Sequence, residues 1–483
     1  MPCTTLLVGK KASYDGSTMI ARNDDSGAGR YTPKKLIMVT PEQQPRTYHS
    51  VISHVTIELP DNPMRYSSVP NVLPDEGIWA GAGINAASVA MTATETIASN
   101  ERVLGADPLV VYKPADGETP EQAGGIGEED LVTLVLPYIH SAREGVLRTA
   151  SLLEQYGTYE MNGMAFADAD EIWWMETLGG HHWIARRVPD DQYVVMPNES
   201  GIDRFDLNDA FGEQVEHLCS DDLRTFIADN HLDLSMDSED GIINPRVAFG
   251  TQSDADHVYN TPRAWFMLRY FNPRSAKWDG PDAQYTPVSD DLPWSMKPER
   301  KITVEDFKYI LSSHFQGTPY DPYNVCGDVS MRGAYRCIGV NRTDFLALLQ
   351  IRPYMPEAFR AVEWLTFGSN VFNTFVPFYT NTEKVPAYLS CTEKEVDTDS
   401  FYWSCRLVGA LADAQHKACK SHIERYQIKT MAEAHRIIGD ADKLAADLLE
   451  MKADPQVVID SANQELADML KRETDDVLGK VLT

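Results

Sequence analysis

A cysteine near the start of the chain and a charged segment further along are of the types that nucleophilic catalysis requires. Cys3 is followed by the run Arg22-Asn23-Asp24-Asp25. Once the residues before it are removed, Cys3 supplies both a thiol nucleophile and an α-amine that can accept the thiol proton. A nearby guanidinium favours the thiolate, and a nearby carboxylate holds the ammonium in place. We expect Arg22 and Asp25 to perform these two tasks.

A β-hairpin is the element that brings these residues together. Residues 4–9 and 17–21 have the pattern of two strands joined by a polar loop. If Gly9 pairs with Ser17, antiparallel pairing places Cys3 opposite Asn23. A shift of one or two residues would change the direct partner but keep the charged segment beside Cys3. The alternative interpretation is a buried structural cysteine beside a surface ion pair, and the hairpin alone leaves the two about even.

The motifs around this cysteine resemble the start of the C69 family of dipeptidases, which is similar to the penicillin V acylase and bile salt hydrolase group. The likeness extends along nearly the whole chain. It includes Cys3-Thr4-Thr5, Asp15-Gly16-Ser17, the R-N-x-D pattern that begins at Arg22, residues 83–85 and 92–96, and a central block at residues 171–173, 176–183, 187–191 and 196–199. Relatives that begin Met-Cys need only methionine removal, whereas Pro2 intervenes here and requires a second cleavage.

The resemblance implies a role for each residue that matches the family pattern. Cys3 corresponds to the nucleophile and Arg22 to the neighbouring cation. Asp25, or alternatively Asp24, corresponds to the carboxylate that contacts the amine. Asn198 corresponds to an asparagine that helps to form the oxyanion hole, where a preorganised N–H group stabilises the tetrahedral intermediate by roughly 3–4 kcal/mol.

The resemblance also points to residues further from the nucleophile. Arg263 matches a distal arginine of the acylase relatives, so we place it in the catalytic group. Asn85, Glu95 or another residue of 92–95 is expected to supply a polar contact to substrate, and the sequence does not choose between them. His182 follows His181, and adjacent histidines on a strand point to opposite faces, which disfavours a metal site with Glu176. We therefore expect His182 to have a structural or substrate-lining role, and no metal or organic cofactor.

Composition and charge exclude several classes of function. The chain of 483 residues is 43% apolar and 24% charged, as in an ordinary soluble globular protein, and its formal net charge is −29. Such a surface repels phosphate backbones and anionic lipid, so we expect neither nucleic-acid nor membrane binding. The first residues lack the features of a signal peptide, which predicts a cytoplasmic location. The seven cysteines are scattered without a C-x-x-C pair, which argues against a disulfide framework or a zinc ribbon.

Hydrophobic periodicity predicts the remaining elements. We expect a helix over residues 129–156 that Gly157 ends, and a strand pair at 165–177 and 182–196. An irregular acidic stretch follows at about 200–300, and a helical C-terminal region begins near Thr430. The small residues of 81–96 indicate a tightly packed sheet. Strands, then helices, then more strands predict an α+β fold.

The resemblance makes these expectations more specific. It implies the Ntn-hydrolase αββα four-layer sandwich, with residues 1–2 as a pro-segment, 3–429 as the catalytic domain and 430–483 as a helical C-terminal extension. The predicted function is a cysteine-type dipeptidase that hydrolyses dipeptides through a thioester, and we expect a homo-oligomer. The alternatives are a linear amide acylase of the penicillin V acylase and bile salt hydrolase type, a metallopeptidase, and a non-catalytic relative similar to the secernins.

Overall fold

The computed structural model describes residues 3–27, 30–236, 240–323 and 327–483. The strands are β1 (Thr4–Val8), β2 (Thr18–Asp25), β3 (Ile37–Val39), β4 (Thr47–His49), β5 (Thr56–Glu58), β6 (Tyr66–Ser68), β7 (Ala82–Ile84), β8 (Ala90–Thr96), β9 (Asn162–Ala167), β10 (Ile172–Thr177), β11 (Trp183–Arg187), β12 (Tyr193–Met196), β13 (Phe205–Asp206), β14 (His217–Cys219), β15 (Ile242–Ile243), β16 (Ser295–Met296), β17 (Thr343–Ile351), β18 (Ala361–Phe367) and β19 (Val376–Tyr379). The helices are α1 (Glu101–Ala106), α2 (Leu131–Val135), α3 (Ala142–Tyr156), α4 (Leu207–Ala210), α5 (Leu223–Asp229), α6 (Pro245–Phe249), α7 (Asp256–Tyr259), α8 (Thr261–Phe271), α9 (Val304–Leu311), α10 (Ala387–Ser390), α11 (Phe401–Ala414), α12 (His416–Glu450) and α13 (Gln456–Leu482).

Two antiparallel sheets form the centre of the molecule. One has seven strands in the order β16-β12-β1-β2-β17-β18-β19, and the other has six in the order β14-β11-β10-β9-β8-β7. The sheets pack face to face, because β2 and β17 contact β7, β8 and β9. Helices α2 and α3 cover the six-stranded sheet, and α8, α9, α11, α12 and α13 pack against the seven-stranded sheet. The mixed α+β class predicted from the sequence is confirmed.

Strand β1 lies in the middle of the seven-stranded sheet, between β12 and β2. All of its residues are buried, as are all those of β2. Apolar side chains at Leu6, Leu7 and Val8 fill the core on both faces, as expected of a strand that is covered on both sides. Cys3, directly before β1, is therefore held by a rigid central element.

The hairpin prediction is correct in its elements but wrong by one residue in its register. Thr4 pairs with Asn23 and Thr5 with Arg22. The predicted pairing of Cys3 with Asn23 would have placed Thr4 opposite Arg22. A shift of one residue moves side chains to the other face of a strand. In the observed register, Cys3 shares a face with Arg22 and Asp24, while Asn23 and Asp25 point the other way.

The predicted helix over 129–156 is two helices separated by a break. Pro137 and Ile139 lie in the interruption, and the Ser141 side chain accepts a hydrogen bond from Glu144 N to begin α3. Pro137 cannot donate the backbone hydrogen bond that a continuous helix requires. The predicted end is confirmed, since Gly157 has φ +67° and its N–H donates to Leu153 O.

Three other regions differ from the predicted elements. The strand pair over 165–196 is four strands, β9 to β12, because turns at 168–171 and 188–192 divide it. The described residues of 200–300 form five short helices, α4 to α8, of which α8 is the longest. The helical C-terminal region begins at Phe401, before the predicted start, and α12 runs unbroken through Thr430.

Small residues do allow the close packing that the sequence predicted for residues 81–96. A Cβ atom added at Gly83 would lie 1.9 Å from Ser67 O, and one at Gly81 would lie 2.6 Å from the Phe345 ring. Only glycine permits the backbones of β6 and β7 to approach this closely.

The proposed pro-segment, residues 1–2, lies outside the described residues, as does Cys326. The six cysteines that the structure describes are free; Cys219, Cys405 and Cys419 are buried, as expected of small core residues, whereas Cys391 is exposed. Within the described ranges, no helix combines the length and the apolar character that crossing a membrane requires.

Candidate active site

Cys3 and Arg22 form the centre of the site. The Cys3 side chain has no solvent exposure, and neither has Arg22 on the neighbouring strand β2. Arg22 Nη2 lies 2.9 Å from Cys3 Sγ, within hydrogen-bonding distance of the sulfur. The hairpin register produces this contact, since Arg22 stands opposite Thr5 on the face that Cys3 shares.

Arg22 also connects two buried carboxylates to the sulfur. Its Nη2 lies 3.0 Å from Asp24 Oδ1 and 2.7 Å from Glu128 Oε1, and its Nη1 donates to the Ala93 carbonyl. Burial acts to lower the pKa of Arg22, but Cys3, Glu128 and Asp24 together raise that pKa well above its ordinary value. The guanidinium therefore stays charged in a site without solvent contact.

The two aspartates after Arg22 lie on opposite faces of β2. Asp24 Oδ1 is 4.0 Å from Cys3 Sγ, and Asp24 Oδ2 is 3.1 Å from Lys34 Nζ. Asp25 accepts a hydrogen bond of 2.6 Å from Thr343 Oγ1 and pairs with Arg336. The structure thus places beside the sulfur the carboxylate that the sequence analysis gave as the alternative. Which of the two contacts the α-amine of a trimmed chain stays a prediction.

Asn198 and Arg263 meet the backbone of Cys3 from the other side. Asn198 Oδ1 lies 3.1 Å from Cys3 N and accepts a hydrogen bond of 2.7 Å from Arg263 Nη2. Arg263 Nη1 donates to the Cys3 carbonyl and, at 2.7 Å, to Thr4 Oγ1. The Asn198 amide also donates to Thr96 O at 2.9 Å. Both residues predicted from the resemblance therefore lie in the Cys3 neighbourhood, although here the asparagine presents its oxygen to Cys3 N.

The pKa of the Cys3 thiol indicates that the site needs a proton acceptor. Burial raises that pKa well above its ordinary value; Arg22 opposes the rise, and Glu128, Glu95 and Asp24 add to it. The thiol is accordingly neutral at physiological pH, and nucleophilic attack requires a base within reach of the sulfur. With a residue still attached in front of Cys3, its nitrogen is an amide and cannot serve as that base.

Glu95 lies close to this group from the six-stranded sheet. It accepts a hydrogen bond of 2.8 Å from Thr5 Oγ1, and its other oxygen has no hydrogen-bond partner among the residues that the structure describes. Burial raises the pKa of Glu95 to about 8, against the opposing effect of Arg263. Of the two candidates for a polar substrate contact, Glu95 is the one that lies beside Cys3.

Asn85 and His182 have other hydrogen-bonding tasks. The Asn85 amide donates to Leu136 O and Ile139 O and accepts from the backbone N–H groups of residues 87 and 89. These bonds engage the Asn85 side chain at the break between α2 and α3, and its contact with a substrate stays a prediction. His182 Nδ1 lies 2.8 Å from Asp107 Oδ2, and its ring stacks on Phe226. These contacts are compatible with a structural role, and whether His182 also lines the substrate site stays a prediction.

One group of side chains in the described part of the chain has the spacing of metal ligands, and it consists of Cys3, Asp24 and Glu128. Arg22 Nη2 lies within 3.0 Å of a ligand atom of each. The cation that these three side chains contact is therefore the Arg22 guanidinium.

Two charged residues of the site were not found from the sequence. Glu128 follows the Gly-rich segment Gly124-Gly125-Ile126-Gly127 and directly precedes the predicted helix over 129–156, and the sequence analysis gave it no role in the site. The three acidic residues at 128–130 are in fact all buried, which is rare for charged side chains. This burial would have pointed to a functional role, but it is visible only in the structure. Lys34 gave no signal, because its position depends on how the chain after β2 returns to the sheet.

Comparison with known proteins adds a family to this geometry. Residues 2–429 match the model of peptidase family C69. The chain is 54% identical to a dipeptidase from Bifidobacterium longum, over 100% of this chain and 97% of that protein. It is 52% identical to a probable dipeptidase A from Streptococcus pyogenes, with the same coverage, and 42% identical to dipeptidase A from Lactobacillus helveticus, over 99% and 96%.

Proposed function

This chain belongs to peptidase family C69, and from that premise we propose that it is a cysteine-type dipeptidase whose N-terminal nucleophile is Cys3. Removal of the residues that precede Cys3 would create the nucleophile and its base together. The freed nitrogen is an α-amine, whose ordinary pKa is near 8, so it exchanges protons close to neutrality. Because the thiol is neutral, this amine is the group that must accept the thiol proton.

The proposed reaction has two stages. The Cys3 thiol gives its proton to the α-amine as the sulfur attacks the carbonyl carbon of a dipeptide, and Arg22 stabilises the negative charge on sulfur. Collapse of the tetrahedral intermediate breaks the peptide bond, and the ammonium returns the proton to the leaving amino acid. Water then attacks the thioester, and the first amino acid is released.

Each of the other site residues has a proposed part. Asn198 would donate its amide to the oxyanion, after its side chain turns from the orientation seen here. Arg263 would hold the Cys3 carbonyl and the Asn198 side chain in place. Asp25 or Asp24 would orient the ammonium, and Glu95 would offer a polar contact to the substrate.

The contact of 2.9 Å between Arg22 Nη2 and Cys3 Sγ is the observation that carries the proposal. Burying a cation and two carboxylates costs desolvation free energy. A thiol that only filled space in the core would not need these charges beside it. Relatives of 42–54% identity carry the name dipeptidase, which favours dipeptide substrates over other linear amides.

We further propose the Ntn-hydrolase αββα sandwich, with residues 3–429 as the catalytic domain and 430–483 as an extension. The stacking of two antiparallel sheets between helices supports this fold. A cytoplasmic location and a homo-oligomeric state belong to the same proposal. Fractionation of the source cells and sedimentation of the purified protein test them.

The decisive experiment compares N-terminal sequence with activity. We expect active protein to begin at Cys3 and to hydrolyse a panel of dipeptides in the presence of a chelator. Cys3→Ala should lose activity by at least about 10³-fold, as expected when a covalent nucleophile is removed. Cys391→Ala is the matched control, because Cys391 is exposed and its Sγ contacts Asp399 O at 3.3 Å.

Two results would contradict the proposal. One is full activity in protein that still carries a residue before Cys3, since its nitrogen would then be an amide. The other is activity in Cys3→Ala that a chelator abolishes, which would indicate a metallopeptidase. Preference for acyl amides over dipeptides would replace the substrate class but keep the mechanism.

A further inference from the structure

We infer that Lys34 is a positioning residue for this reaction: it neutralises Asp24, so that Arg22 directs its positive charge to the Cys3 sulfur. Lys34 has no solvent exposure, and its Nζ lies 3.1 Å from Asp24 Oδ2. The inference rests on the proposed function, because it takes Cys3 as the nucleophile.

A continuous line of contacts joins Lys34 to the sulfur. Lys34 Nζ contacts one oxygen of Asp24, and the other oxygen lies 3.0 Å from Arg22 Nη2. The same Arg22 nitrogen is 2.9 Å from Cys3 Sγ. Lys34 itself is held by a hydrogen bond of 2.8 Å to Trp79 O and lies 5.6 Å above the centre of the Phe345 ring.

The charges around the sulfur balance only if Lys34 is counted. Arg22 lies between two carboxylates, Asp24 and Glu128, which on their own exceed its single positive charge. Lys34 supplies a second positive charge and makes the buried quartet neutral. Without Lys34 the group would carry one excess negative charge, and such a charge beside a buried sulfur would disfavour the ionised form of the sulfur.

The other charged groups near this line come from three further elements. Glu95 on β8 acts on the thiol, and Arg263 on α8 contacts the Cys3 carbonyl. Asp344 on β17 lies near Asp24 and Lys34, and it pairs with Arg406 on α11. Asp344 has its own cation, so Lys34 remains the partner of Asp24. The pKa of Asp24 is lowered despite burial, and Lys34 is the largest cause of that lowering.

The test measures the pH dependence of Cys3 alkylation. Purified protein that begins at Cys3 is treated with iodoacetamide, and mass spectrometry follows the N-terminal peptide. In Lys34→Met, Asp24 and Glu128 share the single positive charge of Arg22. We therefore expect the midpoint of the alkylation profile to rise by about one pH unit, the size expected for a change in one nearby charge.

Lys308→Met is the matched control. Lys308 on α9 is also buried, and its Nζ donates to a backbone carbonyl, Asn370 O, at 2.8 Å. Among the residues that the structure describes, no carboxylate forms an ion pair with it. This variant removes a buried lysine without changing the charges around Cys3, and its alkylation midpoint should equal that of the wild type.

A second pair of variants shows whether Lys34 acts through Asp24, and keeps the test readable if Lys34→Met does not fold. We expect Asp24→Asn and the double variant Asp24→Asn with Lys34→Met to share one alkylation midpoint within about half a pH unit, because coupled residues are non-additive. A midpoint in Lys34→Met equal to the wild type, or a full shift by Lys34→Met in the Asp24→Asn background, overturns the inference. Dipeptidase activity that survives alkylation of Cys3 would instead overturn the proposed function.

Discussion

At the scale of single residues, the site is organised by charge balance around a neutral thiol. Arg22 contacts the sulfur and two carboxylates at the same time, and all of these groups are buried. Taking charges out of water is costly, so such a group is stable only while each charge keeps its partner. Burial also raises the pKa of the thiol, and for this reason the proposed mechanism assigns the thiol proton to the α-amine of a trimmed chain.

Replacing Arg22 should therefore affect stability and activity together. Arg22→Gln leaves Asp24 and Glu128 without their shared cation, and we expect the free energy of unfolding to fall by about 3–5 kcal/mol, as for other broken buried ion pairs. We expect kcat/KM for a dipeptide to fall as well, since the sulfur loses its cation. Urea unfolding and steady-state kinetics measure the two effects.

Arg436 provides the control for this prediction. It pairs with three carboxylates, those of Glu433 and Asp440 on α12 and Glu465 on α13, but on the exposed surface of these helices. Surface ion pairs contribute little because water and salt screen them. A loss of stability in Arg436→Gln as large as that in Arg22→Gln would show that burial is not the cause.

Because of Glu95, the free energy of unfolding should fall as pH rises from about 4.5 to about 8. Burial raises its pKa to about 8 in the folded protein, above the ordinary value of 4.5. Between these two pH values the folded state holds a proton that the unfolded state has lost, so the free energy of unfolding falls as pH rises, by at most about 1.4 kcal/mol per pH unit. Below about pH 4.5 this contribution is constant.

Glu95→Gln removes this ionisation and keeps the shape of the protonated side chain. We expect the variant to gain stability relative to the wild type as pH increases from 5 to 8, and the difference to level off above the folded pKa. Urea unfolding at a series of pH values measures it, and other buried acids cancel in the difference. A difference that is constant from pH 5 to 9 would contradict the assignment.

At the scale of elements, the hairpin β1–β2 and the sheet-to-sheet packing place the site. The register of β1 and β2 decides that Cys3, Arg22 and Asp24 share one face. The opposite sheet then brings Glu95 on β8 against Thr5. Close approach of β6 and β7 depends on Gly83, where a side chain would meet the backbone of Ser67.

Gly83→Ala should consequently lower the free energy of unfolding by several kcal/mol. The added Cβ would lie 1.9 Å from Ser67 O, and backbone cannot turn aside as a flexible side chain can. Overpacked sites commonly cost about 1–3 kcal/mol and occasionally more. Thermal unfolding of the purified variant provides the measurement.

Gly439→Ala is the matched change in an open position. Nothing lies within 4 Å of a Cβ at Gly439, which is inside α12, so alanine should stabilise the helix by about 0.5–1 kcal/mol. If both variants changed stability by the same amount and in the same direction, close packing at Gly83 would be excluded as the reason.

At the scale of the whole molecule, the C-terminal helices α12 and α13 pack against the seven-stranded sheet. Residues of α12 and α13, including Ala434, Leu466 and Leu470, belong to the same core cluster as strands β1 and β17. Asn463 on α13 accepts from Tyr379 N at 2.9 Å and donates to Tyr379 O at 3.0 Å. These bonds satisfy the backbone N–H and C=O of Tyr379 in β19, which lies at one edge of the sheet.

Asn463→Ala should destabilise the folded protein by about 1–3 kcal/mol, because a buried backbone N–H and C=O lose their partners. The neighbouring change Gln464→Ala affects a side chain that bonds only locally to Asp468, and its effect should stay below about 0.5 kcal/mol. Chemical denaturation of the two variants distinguishes them. Equal effects would mean that the sheet edge does not depend on α13.

Much of the site could be predicted because its chemistry is local in sequence. The strands β1 and β2 adjoin each other along the chain, so Cys3 and the charged segment after Arg22 were bound to meet whatever the exact register. The Gly157 helix end and the α+β class are equally local or compositional signals. The prediction merged β9 with β10 and β11 with β12, although the polar residues at 168–171 and 189–192 mark the turns between them.

The sequence by itself determined which residues could react, since a cysteine near the chain start and an R-N-x-D segment carry their chemistry in their residue types. Only the tertiary structure decided which aspartate faces the sulfur, because a shift of one residue in an antiparallel pair exchanges the faces of a strand. It also decided that Glu128 and Lys34 complete the charge balance. Both come from segments whose path depends on packing between the sheets, and no local pattern encodes that path.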